Sequence, residues 1–195
     1  MEYKITIKKI FGHLHTVNKH RFKVFIHATK AGIFFQGLVH DLSKYHPTEL
    51  FVGVKYYQGT RSPNDAEREL FGMSTAWIHH KGRNKHHFEY WNDLDMKDHV
   101  YKSVKMPIKY VKEMFCDRVA ASKIYQGKNY NEAHPYEYFM RAKAKRFIHP
   151  ETSDLLESWL LMLKEKGEAY TLRHIKGVVK TKSCNRQEAL RPQDR

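Results

Sequence analysis

Cysteine is nearly absent. Cys116 and Cys184 are the only two in 195 residues, too few and too far apart for a disulfide framework or a cysteine zinc site. No apolar run approaches the roughly 20 residues that a membrane-spanning helix needs. The start, Met1-Glu2-Tyr3-Lys4, lacks the basic-then-apolar order of a secretion signal. These absences point to a reducing cytoplasm and offer no membrane partner. Strand signals are also scarce. Acidic residues are outnumbered, 21 against 35 Lys and Arg, for a formal net charge of +14. That charge suits either a nucleic-acid surface or a pocket steering a small anion such as a phosphate ester. No zinc finger, aromatic RNA-binding box or helix-turn-helix signature accompanies it, so nucleic acid has charge but no motif behind it.

The remaining composition is globular, 41% hydrophobic and 29% charged, at a length that suits one domain with a substantial core. Helix punctuation recurs along it. Between Ile5 and Lys30, apolar residues Ile10, Leu14, Val17, Val24 and Ala28 fall at steps of three, four and seven, and the pattern stops before Gly32. Pro47 opens a helix that reaches about Gln58, with Gly59 closing it. Ser62-Pro63-Asn64-Asp65 combines a cap, a proline and a first-turn acid. Met106-Pro107 opens a long helix closed by Gly127, and Pro135 and Pro150 open two more, the last ending at Gly167. The expectation is an all-α single domain of about seven or eight helices over residues 1–175. Residues 176–195 read as a basic, flexible C-terminal tail.

The most informative segment is His40-Asp41-Leu42-Ser43-Lys44, which follows the apolar pair Leu38-Val39. An imidazole and a carboxylate beside each other are both hard to bury, and one divalent cation satisfies both. Fourteen histidines are present in all. His13, His20 and His27 share one stripe of the first helix with Val17 and Val24, and the central His20 is the candidate ligand of the three. Counting back from His80 through Trp77, Met73 and Leu70 gives an inward stripe, and beyond the basic turn at Gly82 His87 shares a face with Tyr90, Trp91 and Leu94 of a new helix. His80 and His87 are therefore the favoured ligands, with His79 and His86 the alternatives. On the long helix, Tyr110, Met114, Ala121 and Tyr125 mark an inner face on which Asp117 falls. A buried ionised carboxylate costs at least several kcal/mol, so Asp117 is protonated, paired with its neighbour Arg118, or bound to metal.

The order His20, His40-Asp41, histidine cluster, Asp117 resembles the HD-domain superfamily of metal-dependent phosphohydrolases, whose pattern is H…HD…D. The stretches HRFKV, HDLSKYHP, AWIHHKGRNKHHFEYW and CDRVAASKIYQGK look closer still to one branch of small bacterial proteins with HD-like helical folds. The interval from His20 to His40 is shorter than many members have, and the histidine pairs are tighter. The resemblance implies an HD-like domain with His20, His40, Asp41, His80, His87 and Asp117 as metal ligands, holding one or two divalent ions (Mn, Fe, Co, Ni, Zn or Mg). It implies hydrolysis of a nucleotide or other small phosphorylated compound by a metal-activated water, with Asp41, Lys44 and Asp117 catalytic. Lys44, Arg83 and Lys123 are the candidate phosphate contacts. Two other readings fit the same residues: a di-iron HD-like oxygenase, and a non-catalytic basic protein that binds nucleic acid or nucleotides.

Overall fold

A computed structural model describes residues 3–178 of the protein, and the expected all-α architecture is what it shows. Helices α1 (Ile7–Lys30), α2 (Phe34–Val39), α3 (Pro47–Lys55), α4 (Pro63–Phe71), α5 (Thr75–Lys81), α6 (Ile108–Gln126), α7 (His134–Met140) and α8 (Pro150–Gly177) follow in order, with one antiparallel hairpin, β1 (Asn92–Asp95) and β2 (Val100–Ser103), between α5 and α6. None of the described helices is long and apolar enough to cross a membrane.

The core gathers around α6. Val111, Met114, Phe115, Cys116, Val119 and Ala120 are buried against Val24 of α1, Phe139 of α7, and Leu156, Trp159, Leu160 and Leu163 of α8. Each large apolar side chain fully removed from water contributes roughly 1.5–3 kcal/mol, so these contacts hold α1 and α8 against α6. Helix α1 starts where the Thr6 side chain accepts the Lys9 N–H, and it ends before Gly32, whose φ of +79° takes the chain into the turn. Helix α2 can then lie close against α1 because residue 37 is glycine: a Cβ there would sit 2.6 Å from the Ala28 Cβ. Arg21 of α1 clamps the segment after α2, donating to the carbonyls of Leu38 (3.2 Å) and His40 (2.8 Å) and to the Tyr45 hydroxyl (3.0 Å). This ties the His40-Asp41 pair to α1 and hence to His20.

Several expectations need correction. The predicted stripe Leu70-Met73-Trp77-His80 is not continuous: Gly72, at φ +75°, closes α4 and Ser74 caps α5 afresh, so Leu70 and Met73 are exposed while His80 is buried. No helix follows the Gly82 turn. Phe88–Tyr90 form a single 3-10 turn and the chain enters the hairpin, with Trp91 packed on the core. The inner face of α6 is also rotated and wider than predicted: Val111 through Cys116 are buried consecutively because neighbours cover that end from several sides, whereas Tyr125 is exposed. Helix α8 does not stop at Gly167. That residue breaks helical geometry (φ 80°, ψ 166°), but helix resumes, burying Thr171, Leu172 and Ile175, and ends at Gly177. The tail expected from 176 lies, beyond residue 178, outside the described residues.

Candidate metal centre

Asp41 occupies a turn between α2 and a 3-10 segment, Leu42–Tyr45, and its backbone is left-handed (φ 53°, ψ 28°). Aspartate tolerates that region better than most residues, and strained backbone of this kind is concentrated at functional sites. The conformation presents a carboxylate that is 3% exposed to histidines from three other segments. Its Oδ1 lies 3.3 Å from His80 Nε2, 3.5 Å from His86 Nε2 and 3.6 Å from His40 Nε2, while Oδ2 lies 4.0 Å from His20 Nε2. Asp117 of α6 completes the other side, its Oδ1 at 3.0 Å from His20 Nε2 and 3.7 Å from His40 Nε2.

A second layer of carboxylates fixes the rings. Glu113 Oε1 accepts from Nδ1 of both His40 (2.9 Å) and His86 (3.1 Å), and Glu49 Oε2 accepts from His80 Nδ1 (2.8 Å). An acceptor-only carboxylate demands Nδ1–H, which leaves Nε2 of each ring turned toward Asp41. Carboxylates behind imidazoles in this way set the tautomer and orientation that metal ligation uses. Glu49 Oε1 also accepts from His79 (2.7 Å), whose ring stacks on His46.

Hydrogen bonding within the protein does not satisfy the centre. His40 Nε2, His86 Nε2, His87 Nε2 and Asp41 Oδ1 are all buried without a hydrogen-bond partner among the described residues. Orphans of this kind cost on the order of 1–3 kcal/mol each, and several facing one point call for an unseen occupant. A divalent cation fits the donor set. Asp41, His80, His86 and His87 each offer an atom within 4.8 Å of the others, and so do His20, His40 and Asp41, and His40, His86 and Asp117. Nitrogen and carboxylate donors without thiolate suit Mn, Fe, Co, Ni or Zn. The charges agree. Burial raises the Asp41 and Asp117 carboxyls, but the imidazoles around them, with Lys44 beside Asp41, hold both well below the usual range. Burial would lower His40, yet Asp41, Asp117 and Glu113 raise it to about 10, so in the absence of a cation this ring holds a proton that a metal would have to displace. Burial depresses His87 strongly, so its ring is neutral and free to ligate.

All six predicted ligands, His20, His40, Asp41, His80, His87 and Asp117, converge. His86 belongs with them, though it stood only as the alternative to His87. Glu113 and Glu49 were missed, and Glu113 was findable: it lies one helical turn before Asp117 and so shares its face. Arg118 does not pair with Asp117. It forms no ion pair among the described residues, stacks near Phe139 (5.9 Å to the ring) and leaves its buried Nε without a partner. Among the predicted phosphate contacts, Lys44 is half-buried and acts on both Asp41 and His80. Arg83 is exposed in the turn after α5. Lys123 is not free for substrate: it pairs with Glu168 of α8 and lies 3.4 Å from His27.

The profile of a family of unknown function, DUF5662, matches residues 9–162, which include every residue of this centre. The chain belongs to that family. No curated protein and no solved structure matches it.

Proposed function

We propose that the protein is a metal-dependent phosphohydrolase acting on a nucleotide or another small phosphorylated compound, with an HD-like metal centre. The observation that carries the reading is the position of Asp41, whose two oxygens face different histidines. Two cations would share it, one held with His20, His40 and Asp117, the other with His80, His86 and His87. When bound, such ions acidify water and offset the charge of a phosphoryl group, so no serine or cysteine nucleophile is needed. The side chains do the rest. Glu113 and Glu49 keep protons on the outer ring nitrogens, and the burial of His40, Asp41 and His86 excludes bulk water. Lys44 and Arg118, which forms no ion pair among the described residues, supply positive charge for phosphate oxygens.

The test is metal analysis followed by a phosphatase screen over nucleotides and sugar phosphates with Mn, Co or Mg. The expected result is phosphate release that Asp41→Asn and Asp117→Asn abolish. A histidine-rich donor set also favours a second reading, a di-iron oxygenase; two irons with characteristic optical bands and no phosphate release would select it.

A further inference from the structure

Beside the start of α6, a cavity of about 310 Å³ is lined by Gly32, Ile33, Ile108, Lys109, Lys112, Lys176 and Val178. Three of those residues are lysines and none carries a carboxylate. Basic residues lining one cavity with no carboxylate among the lining residues favour an anion there. Lys112 is the decisive member. It is only 6% exposed, and the single acceptor its ammonium meets among the described residues is the Ala31 carbonyl at 3.5 Å. An ammonium has three donors, so most of its capacity is unspent in a place where desolvation is costly. Burial accordingly pulls its pKa down. Lys109 lies against the Tyr110 ring at 4.7 Å, and neither it nor Lys176 forms an ion pair among the described residues. The cavity is also bordered by the start of α6, a 19-residue helix with no side-chain cap and no acid in its first turn. Its first amides and positive dipole end add to the attraction for an anion.

We propose that this cavity is a second, separate binding site that takes a phosphate group, with Lys112 at its floor and Lys109 and Lys176 at its rim. It uses none of the metal-centre residues and stands whether or not the protein is a phosphohydrolase. The phosphate could be free or carried on a lipid headgroup. Helix α2, which begins beside Ile33, presents exposed Phe34, Phe35, Leu38 and Val39 that would reach an acyl surface next to a headgroup. The site is a phosphate site in either case.

The test is a titration of the ¹⁵N-labelled, Mg-loaded protein with inorganic pyrophosphate, followed at the amides of Gly32, Ile33 and Ile108. Saturable shifts with a Kd at or below about 1 mM are expected. They should weaken by about tenfold or more in Lys112→Met and in Lys109→Ala/Lys176→Ala, and persist in Asp41→Asn. The double variant alters exposed or half-buried side chains only, so it reads the site even if Lys112→Met is poorly folded. Sedimentation with phosphatidylcholine vesicles containing phosphatidate separates the sources. Binding reduced by both the lysine variants and Phe35→Ser assigns a lipid headgroup, whereas pyrophosphate shifts without vesicle binding assign a soluble phosphate. Absent shifts at these amides, or shifts that survive the lysine variants, would show that Lys112 merely caps the carbonyl end of α1.

Discussion

His40 Nδ1 and Glu113 Oε1 lie 2.9 Å apart, both buried, across 73 residues of sequence. That contact decides which nitrogen of His40 faces Asp41, and Glu113 repeats it on His86. Two rings from different segments thus take their orientation from one carboxylate. Replacing Glu113 with glutamine keeps the shape and removes the charge that favours Nδ1–H donation. The expected outcome is a 10- to 100-fold loss of metal affinity with the helical fold retained, measured by competition with a chelating dye and by circular dichroism.

Asp41 combines two demands, a carboxylate and a left-handed backbone. Asparagine meets the second but not the first, whereas alanine meets neither. Both variants should lose metal. In the presence of a chelator Asp41→Ala should melt below Asp41→Asn, because a left-handed residue with a Cβ and no helpful polar group costs roughly 1–2 kcal/mol. Equal melting temperatures would show that the backbone geometry contributes nothing.

Gly53 touches the edge of His13, and a Cβ at that position would stand 2.2 Å from Nε2. Gly53→Ala should therefore destabilise by about 1–3 kcal/mol in chemical denaturation, as overpacking does. Trimming the ring in Gly53→Ala/His13→Ala should recover part of the loss relative to the sum of the single variants.

His13 also supplies a pH dependence. Burial, helped by Lys44, lowers its pKa from 6.5 to about 4. The unfolded chain then binds a proton that the folded chain refuses between those values, so stability falls as pH drops from 6.5 to 4 and is unaffected by this group above 6.5. The whole window is worth about 3 kcal/mol for one residue. Urea unfolding of native protein and His13→Gln across this range should show the native protein losing more stability toward acid; parallel curves would remove His13 as the cause.

Much of this architecture was legible in the sequence because its signals are local. Gly32, Pro47, Ser62-Pro63, Pro150 and the valines of α1 act through one or two helical turns, and the elements they delimit were found. That the six candidate residues come together was legible in part: His20 rests on the stripe of α1, whereas the stripe behind His80 is broken at Gly72 and the helix expected to carry His87 does not form. What escaped depends on contacts made at a distance. The hairpin at Asn92–Ser103 has exposed, charged strands without an alternating apolar face, so pairing rather than pattern defines it. His86 and His87 are adjacent, and only the turn that follows α5 decides that both point inward. Lys123 looked available beside Asp117 because Glu168, its partner, comes from the far end of α8.

The most direct test of the metal centre is anomalous diffraction from crystals of the purified protein, recorded at the Mn, Fe, Co, Ni and Zn edges. Density should peak among Asp41, His80, His86 and His87 and among His20, His40, Asp41 and Asp117, and both peaks should vanish in Asp41→Asn. Crystals grown with added metal that show no peak there, with the histidine nitrogens hydrogen-bonded to protein or water instead, would contradict the account.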